Sequence, residues 1–294
     1  MDIAHQRLHN QLIEKSPHAM AAEVVGSMVA MQAQDYLGAL WAIGLRTRAA
    51  TERGVEQAVA ERRIVRTWPL RGTLHFVAAE DVRWLLELAT PRVIEHNRRR
   101  LRDEYGVDDK LVARARRVCE KVLSGGRHLT RDQLYAAFDS SRIPTDGQRG
   151  LHLLWWLAQQ GLVCFGAREG KQQTFVLLDE WLPASRRLSR DAALAELARR
   201  YFTRRGPATL QDFTWWSGLA PADASAALEA VTSGLECETF ARHRFWFAPQ
   251  ASGKTRARVP RIHLLPAYDE YAVAYCDRSA VLCREYAIRA DAGN

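Results

Sequence analysis

Two short segments hold the side chains best able to do chemistry. The first is Met31-Gln32-Ala33-Gln34-Asp35-Tyr36. Gln32 and Gln34 are two residues apart, so an extended backbone turns both side chains to one face. A glutamine offers one acceptor and two donors but no titratable proton. It can orient a water or hydrogen-bond a base edge, yet it is a poor general base. Asp35 is the adjacent group able to take a proton. The same residues have a plainer reading, in which Asp35 caps the next helix and the glutamines satisfy a helix break. On spacing alone the plainer reading is the stronger.

The second segment is Arg66-Thr67-Trp68-Pro69-Leu70-Arg71-Gly72-Thr73-Leu74-His75-Phe76. Cation, aromatic ring and imidazole alternate along it. Strand alternation puts Thr73 and His75 on one face. Its plainer reading is an ordinary hairpin with His75 packed and hydrogen-bonded.

Other motifs are rejected. Ala251-Ser-Gly-Lys-Thr255 suggests a phosphate loop, but Ala248 stands where the motif needs its first glycine. His5 and His9 have helical spacing without the glutamate of a metal-binding helix, so no metal is expected. No Gly-x-Ser-x-Gly elbow occurs. The five cysteines are scattered and never spaced Cys-x-x-Cys, which fits small buried side chains better than a disulfide scaffold or zinc site.

The elements that must position these segments follow from periodicity. Helical patterns cover 17–30, 36–45 and 52–61, and 64–78 reads as two strands about Arg71-Gly72. Amphipathic helices over 79–102 and 108–123 follow. Thr130 caps a helix over 131–138, and 148–160 is helical. Strands at 162–165 and 174–178 flank a polar tip. The plan then recurs, with helices over 191–205, 210–216 and 224–231 and strands at 235–240 and 244–247. Gly126-Arg-His-Leu-Thr130 and Gly206-Pro-Ala-Thr209 each place a capping Thr after a break. Such self-similarity indicates repeated units, and helix–helix–hairpin units read as winged helix-turn-helix domains. From 257 the pattern changes, and Arg261-Ile-His-Leu-Leu265 reads as a buried strand. Trp155-Trp156 and Trp215-Trp216 read as core packing rather than base stacking. Arg98-Arg99-Arg100-Leu-Arg102 reads as a solvated helix face rather than a phosphate clamp.

Composition sets the class. The 294 residues are 47% hydrophobic and 26% charged, enough for buried cores. No run approaches the roughly 18 apolar residues of a membrane span. The net charge of +8 points toward polyanions, nucleic acid first. Arginine outnumbers lysine 37 to 5, which a GC-rich genome also produces. The N-terminus, Met1 to Arg7, lacks a signal-peptide layout, so the expected location is cytoplasmic and nucleoid-associated.

The two chemical segments resemble a known family once a third is added, Leu264-Leu-Pro-Ala-Tyr268-Asp269-Glu270-Tyr271 with Asp277-Arg278. Together they resemble the AlkZ/YcaQ-type winged-helix DNA glycosylases, in order over nearly the whole chain. The resemblance implies an α+β, mainly helical fold with three tandem winged helix-turn-helix domains and a C-terminal β-barrel around a DNA channel. The expected boundaries are 1–106, 107–188, 189–256 and 257–294. Sixteen residues follow Arg278, fewer than the family carries there, so the barrel is expected to be incomplete.

The resemblance also implies hydrolysis of the N-glycosidic bond of alkylated purines, with branches that range from simple N-alkylpurines to bulky adducts and interstrand crosslinks; self-resistance to a DNA-alkylating metabolite is the expected setting. One branch uses Gln-apolar-Gln, matched by Gln32-Ala33-Gln34, and another has Asp where Gln34 stands. On this reading Gln32 and Gln34 place the attacking water, with Asp35 as a helper. Arg66, Arg71, His75, Tyr268, Asp269, Tyr271 and Arg278 contact DNA or support the site. The expected partner is double-stranded DNA, bound by a monomer without cofactor or membrane. No lysine is an evident Schiff-base nucleophile, so a monofunctional enzyme is expected. The alternatives are a non-catalytic winged-helix DNA-binding protein or regulator, and a protein-interaction scaffold.

Overall fold

The computed structural model describes residues 2–182, 184–249 and 262–282. In chain order the elements are α1 (Ile3–Asn10), α2 (Ala21–Met28), β1 (Ala30–Gln32), α3 (Tyr36–Leu45), α4 (Glu52–Ala60), β2 (Ile64–Leu70), β3 (Thr73–Ala78), α5 (Val82–Tyr105) and α6 (Asp109–Leu123). Next come β4 (Leu129–Thr130), α7 (Arg131–Ser140), α8 (Arg149–Gln159), β5 (Val163–Phe165), β6 (Thr174–Leu177) and α9 (Leu178–Trp181). The last are α10 (Arg190–Arg205), α11 (Leu210–Ser217), α12 (Pro221–Glu229), β7 (Glu236–Phe240), β8 (His243–Phe247) and α13 (Glu270–Val273). The fold is α+β with helices dominant, as expected.

Two compact units divide the chain, one of residues 1–52 with 189–294 and one of 53–188. The first is discontinuous in sequence, so the serial boundaries at 106 and 256 are not where these units divide. In unit 53–188 the strands run β3-β2-β5-β6-β4 within one sheet. The β2–β3 register shifts between Thr67 and Leu70, where Pro69 has no N–H to give the ladder. Trp68, Leu101, Phe138, Leu154, Trp156 and Phe165 share one core with this sheet. Thr130 caps α7 in a reciprocal box with Gln133. In the arginine run on α5, Arg99, Arg100 and Arg102 are exposed and Arg98 is half-buried; Arg98 pairs with Glu95 and Asp109 and Arg102 with Asp103, which fits the solvated-face reading.

In the discontinuous unit, Tyr201, Phe202, Phe213 and Trp216 pack with ring centroids 5.0 to 5.4 Å apart. Thr209 caps α11 in a box with Asp212, the same device as Thr130 with Gln133. Trp156 and Trp216 are core residues as expected, but Trp215 is 49% exposed. The tight joint after α10 is at Gly206. A Cβ there would lie 2.3 Å from the Phe202 carbonyl and 2.8 Å from Phe247 Cα. Both obstacles are backbone, so Gly206→Ala is expected to lower stability by about 1–3 kcal/mol or more, read by urea unfolding.

The expected strand over 261–265 does not form among the described residues. Ile262 is 93% and Leu264 71% exposed, and no strand is assigned over 262–282. The apolar run has no sheet partner there, and the Leu264 carbonyl instead accepts the Trp41 indole N–H at 2.9 Å. No closed barrel is present among the described residues. The rejected phosphate-loop segment 251–255 lies outside them.

Candidate functional site

The Gln-Ala-Gln element begins at a kink. α2 stops at Met28, and Val29 takes φ 66° and ψ −58°. A β-branched residue at positive φ is a genuine outlier. β1 then runs extended from Ala30 to Gln32. Gln32 is half-buried, Ala33 is buried, and Gln34 and Asp35 are exposed. Asp35 stands at the N-cap position of α3, but its side chain accepts no bond from the first turn. The carboxylate instead lies over Gly38, where a Cβ would come 2.5 Å from its Oδ2. The capping reading is therefore right in position and wrong in bonding.

A buried ion pair grips this backbone. Glu270 Oε1 accepts the Gln32 backbone N–H at 2.8 Å. Its Oε2 accepts Arg205 Nε at 2.9 Å, Arg205 Nη2 at 2.7 Å and the Trp216 indole at 3.1 Å. Arg205 also donates to the Met28 carbonyl at 2.8 Å and the Ala30 carbonyl at 2.7 Å. A second pair sits beside it. Arg46 donates to both oxygens of Asp269, at 2.8 and 2.7 Å, and to Gln11 Oε1 at 3.0 Å. Gln11 in turn donates to the Tyr275 hydroxyl at 2.9 Å. Burial pushes the Tyr275 phenol up to about 12 and raises Tyr201 as well, so both stay neutral donors at ordinary pH.

α10 carries one more charge cluster next to α2. Arg200 donates to the Gly26 carbonyl at 2.9 Å and pairs with Glu196. Burial alone would raise the Glu196 carboxyl, but hydrogen bonds and charge from Arg199 and Arg200 outweigh it and hold it down to about 2. Its contribution is complete above the ordinary value of 4.5 and is lost as pH falls through about 2. Discounted for solvent screening, Glu196→Gln is expected to cost about 1 kcal/mol at neutral pH and only a small fraction of that at pH ~2. Urea titrations at both pH values read this difference.

The residues expected to meet DNA are placed unevenly. Tyr268 is 38% exposed. Asp269 is 1% exposed and committed to Arg46, so its carboxylate is a buried counter-ion, not a surface contact. Tyr271 is half-buried, and its hydroxyl donates inward to the Ala4 carbonyl at 3.2 Å. Arg278 is half-buried and its carbonyl ends the turn at Val281.

In unit 53–188, Arg66 is buried and its guanidinium lies 4.8 Å from the Phe165 ring centroid. Arg71 and Gly72 form the hairpin turn at φ 54° and 75°, and the Gly72 carbonyl accepts Trp155 Nε1 at 2.9 Å. His75 is fully buried opposite Thr67, and its Nδ1 donates to the Thr73 carbonyl at 2.9 Å. That is the packed, hydrogen-bonded histidine of the plainer reading. The sites thus fall in two groups, Gln32, Gln34 and Asp35 with the Asp269 turn in one unit, and Arg66, Arg71 and His75 on one hairpin of the other.

Sequence reasoning missed Glu270, Arg205, Trp216, Arg46 and Gln11. A signal was present for the arginines. Arg205 continues the buried stripe Leu194, Leu197, Ala198, Tyr201 at helical spacing, and Arg46 continues Ala39, Ala42, Ile43. A charge in an apolar stripe is informative because such residues are almost never buried unless paired.

The site is thus a Gln-apolar-Gln segment that follows a clamped kink within a helical α+β fold. The chain belongs to the AlkZ-like DNA glycosylase family, whose model, described as "DNA glycosylase AlkZ-like", matches residues 25–293. An "Interstrand DNA cross-link repair glycosylase" of Streptomyces sahachiroi is 27% identical over 222 residues, covering 72% of this chain and 59% of the relative. The chain thus aligns with about three-fifths of that relative's length. The structure of Streptomyces sahachiroi DNA glycosylase AlkZ superposes with a TM-score of 0.76 at 23% identity, covering 97% of this chain and 80% of that one. At that identity the likeness shows the fold.

Proposed function

We propose that this protein hydrolyses the N-glycosidic bond of alkylated purines in double-stranded DNA, as a monofunctional glycosylase. The observation that carries the reading is the Gln32-Ala33-Gln34 segment, which leaves the end of β1 with Gln32 half-buried and Gln34 exposed. The chemistry suits amides. A purine alkylated at N7 or N3 is already cationic, so it departs as a neutral base with the electron pair of the glycosidic bond. Water adds to the anomeric carbon and its proton passes to solvent. Gln32 and Gln34 orient that water and offer carbonyl oxygens to the oxocarbenium charge. Two carboxylates, usual in sugar–sugar hydrolysis, are not required for so good a leaving group.

The repeated capping boxes at Thr130 and Thr209, each ahead of a helix pair and a hairpin, support tandem winged-helix domains as the DNA-binding frame. Arg71 at its hairpin turn and exposed Tyr268 are the proposed DNA contacts. The relative's name extends the proposed lesion class to interstrand crosslinks. The experiment is base release from duplexes carrying one N7-methylguanine, a bulky N7 adduct or an N7-linked crosslink. Release of the modified base without strand scission supports the reading. Salt-sensitive DNA binding with no release from any of the three would replace it with a DNA-binding protein.

A further inference from the structure

We infer that the buried Arg205–Glu270 pair is a positioning device that sets the backbone of the Gln-Ala-Gln segment; its catalytic consequence rests on the glycosylase reading above. The contacts follow the strand. Arg205 takes the carbonyls of Met28 and Ala30, and Glu270 takes the N–H of Gln32. In an extended chain the polar groups of alternate residues share one edge. The ion pair therefore occupies the Ala30/Gln32 edge as a neighbouring strand would, using side-chain atoms, and Arg205 reaches back across the kink to the Met28 carbonyl that ends α2.

The two Arg205 bonds also bracket Val29, the residue at φ 66°. Strained conformations persist only where the surroundings over-determine them, and they cluster at functional sites. Here two carbonyl bonds on either side of the kink supply that constraint. The pair is itself anchored, because the Trp216 indole fixes Glu270 Oε2 and the Arg205 guanidinium lies 4.2 Å from the Trp216 ring centroid. Fold stability alone is a weak reason for such a pair, since well-packed apolar replacements of buried ion pairs are often no less stable. Geometric specification of Gln32 is what an apolar replacement would not supply.

The test compares wild type with Glu270→Gln and with Arg205→Met/Glu270→Leu, the second chosen to leave no unpaired buried charge. Three quantities are read per folded molecule: the single-turnover rate of N7-methylguanine release, DNA affinity, and amide hydrogen exchange across residues 28–36. The release rate is expected to fall roughly tenfold to a hundredfold with DNA affinity within about threefold of wild type. Exchange at 30–34 is expected to accelerate about tenfold or more while α3 keeps its protection. Unchanged exchange at 30–34, or an unchanged rate per folded molecule, would overturn the assignment. So would failure of both variants to fold, which would make the pair a folding determinant only. If wild type releases no base, the glycosylase reading fails separately, and the exchange experiment still decides whether the pair sets this backbone.

Discussion

Gln32→Ala/Gln34→Ala is expected to lower the single-turnover rate of base release by roughly 10²- to 10³-fold, equivalent to about 3–4 kcal/mol of transition-state stabilisation. The lower end applies if the cationic leaving group carries most of the driving force, and the upper end if both amides act on the water. DNA affinity should stay within about threefold, because two neutral side chains contribute little to phosphate attraction. The single variants should differ. Gln32 has its backbone fixed by Glu270, so its amide starts from a defined position and its loss should cost more than that of exposed Gln34. An amide has no titratable proton, so the rate should be flat from about pH 6 to 9. Catalysis by Asp35 predicts instead a large loss of rate in Asp35→Asn with both glutamines intact. Its carboxylate is exposed and turned over Gly38, so Asp35→Asn is expected to change the rate less than about threefold. Single-turnover kinetics on all four variants decides between amide positioning and carboxylate catalysis.

Local chemistry was legible in the sequence and long-range pairing was not. The hairpin at 64–78 is readable because Arg71-Gly72 supplies two left-handed positions between apolar runs. α3 is readable at both ends as an unbroken ten-residue run without a charged side chain, set between Asp35 and Arg46. The capping threonines announce α7 and α11 through side-chain bonds to residues three positions on. β1, by contrast, is three residues long and has no periodicity to detect. What fixes it is the Val29 kink and side-chain partners 175 to 238 residues away in sequence. The same distance hides the meaning of Asp269-Glu270. An acidic pair between tyrosines suggests a polar surface, yet both carboxylates are 1% exposed because Arg46 and Arg205 descend from two different helices to meet them. The run Ile262 to Leu265 fails in the opposite sense. Its apolar residues suggest a buried strand, but hydrophobicity without an adjacent strand to pair with does not make one.

Asp269→Ala is expected to destabilise the protein by about 3–5 kcal/mol, because it leaves the Arg46 guanidinium buried without its counter-ion. Among the described residues, Arg46 would keep the Ala42 carbonyl and Gln11 Oε1 as partners. The substitution also removes the acceptor for the Tyr271 N–H at the start of α13, which carries Glu270 and hence the contact to Gln32. At about 2–4 °C per kcal/mol for a unit of this size, the melting temperature should fall by roughly 6–20 °C. DNA affinity per folded molecule should change less than about twofold, since a buried carboxylate adds little to the field at the surface. A DNA-facing Asp269 predicts the reverse, because removing an exposed negative charge would tighten phosphate binding and spare the melting temperature. Thermal unfolding and salt-titrated DNA binding on the one variant separate the two, and tighter binding without a stability loss would return Asp269 to the surface.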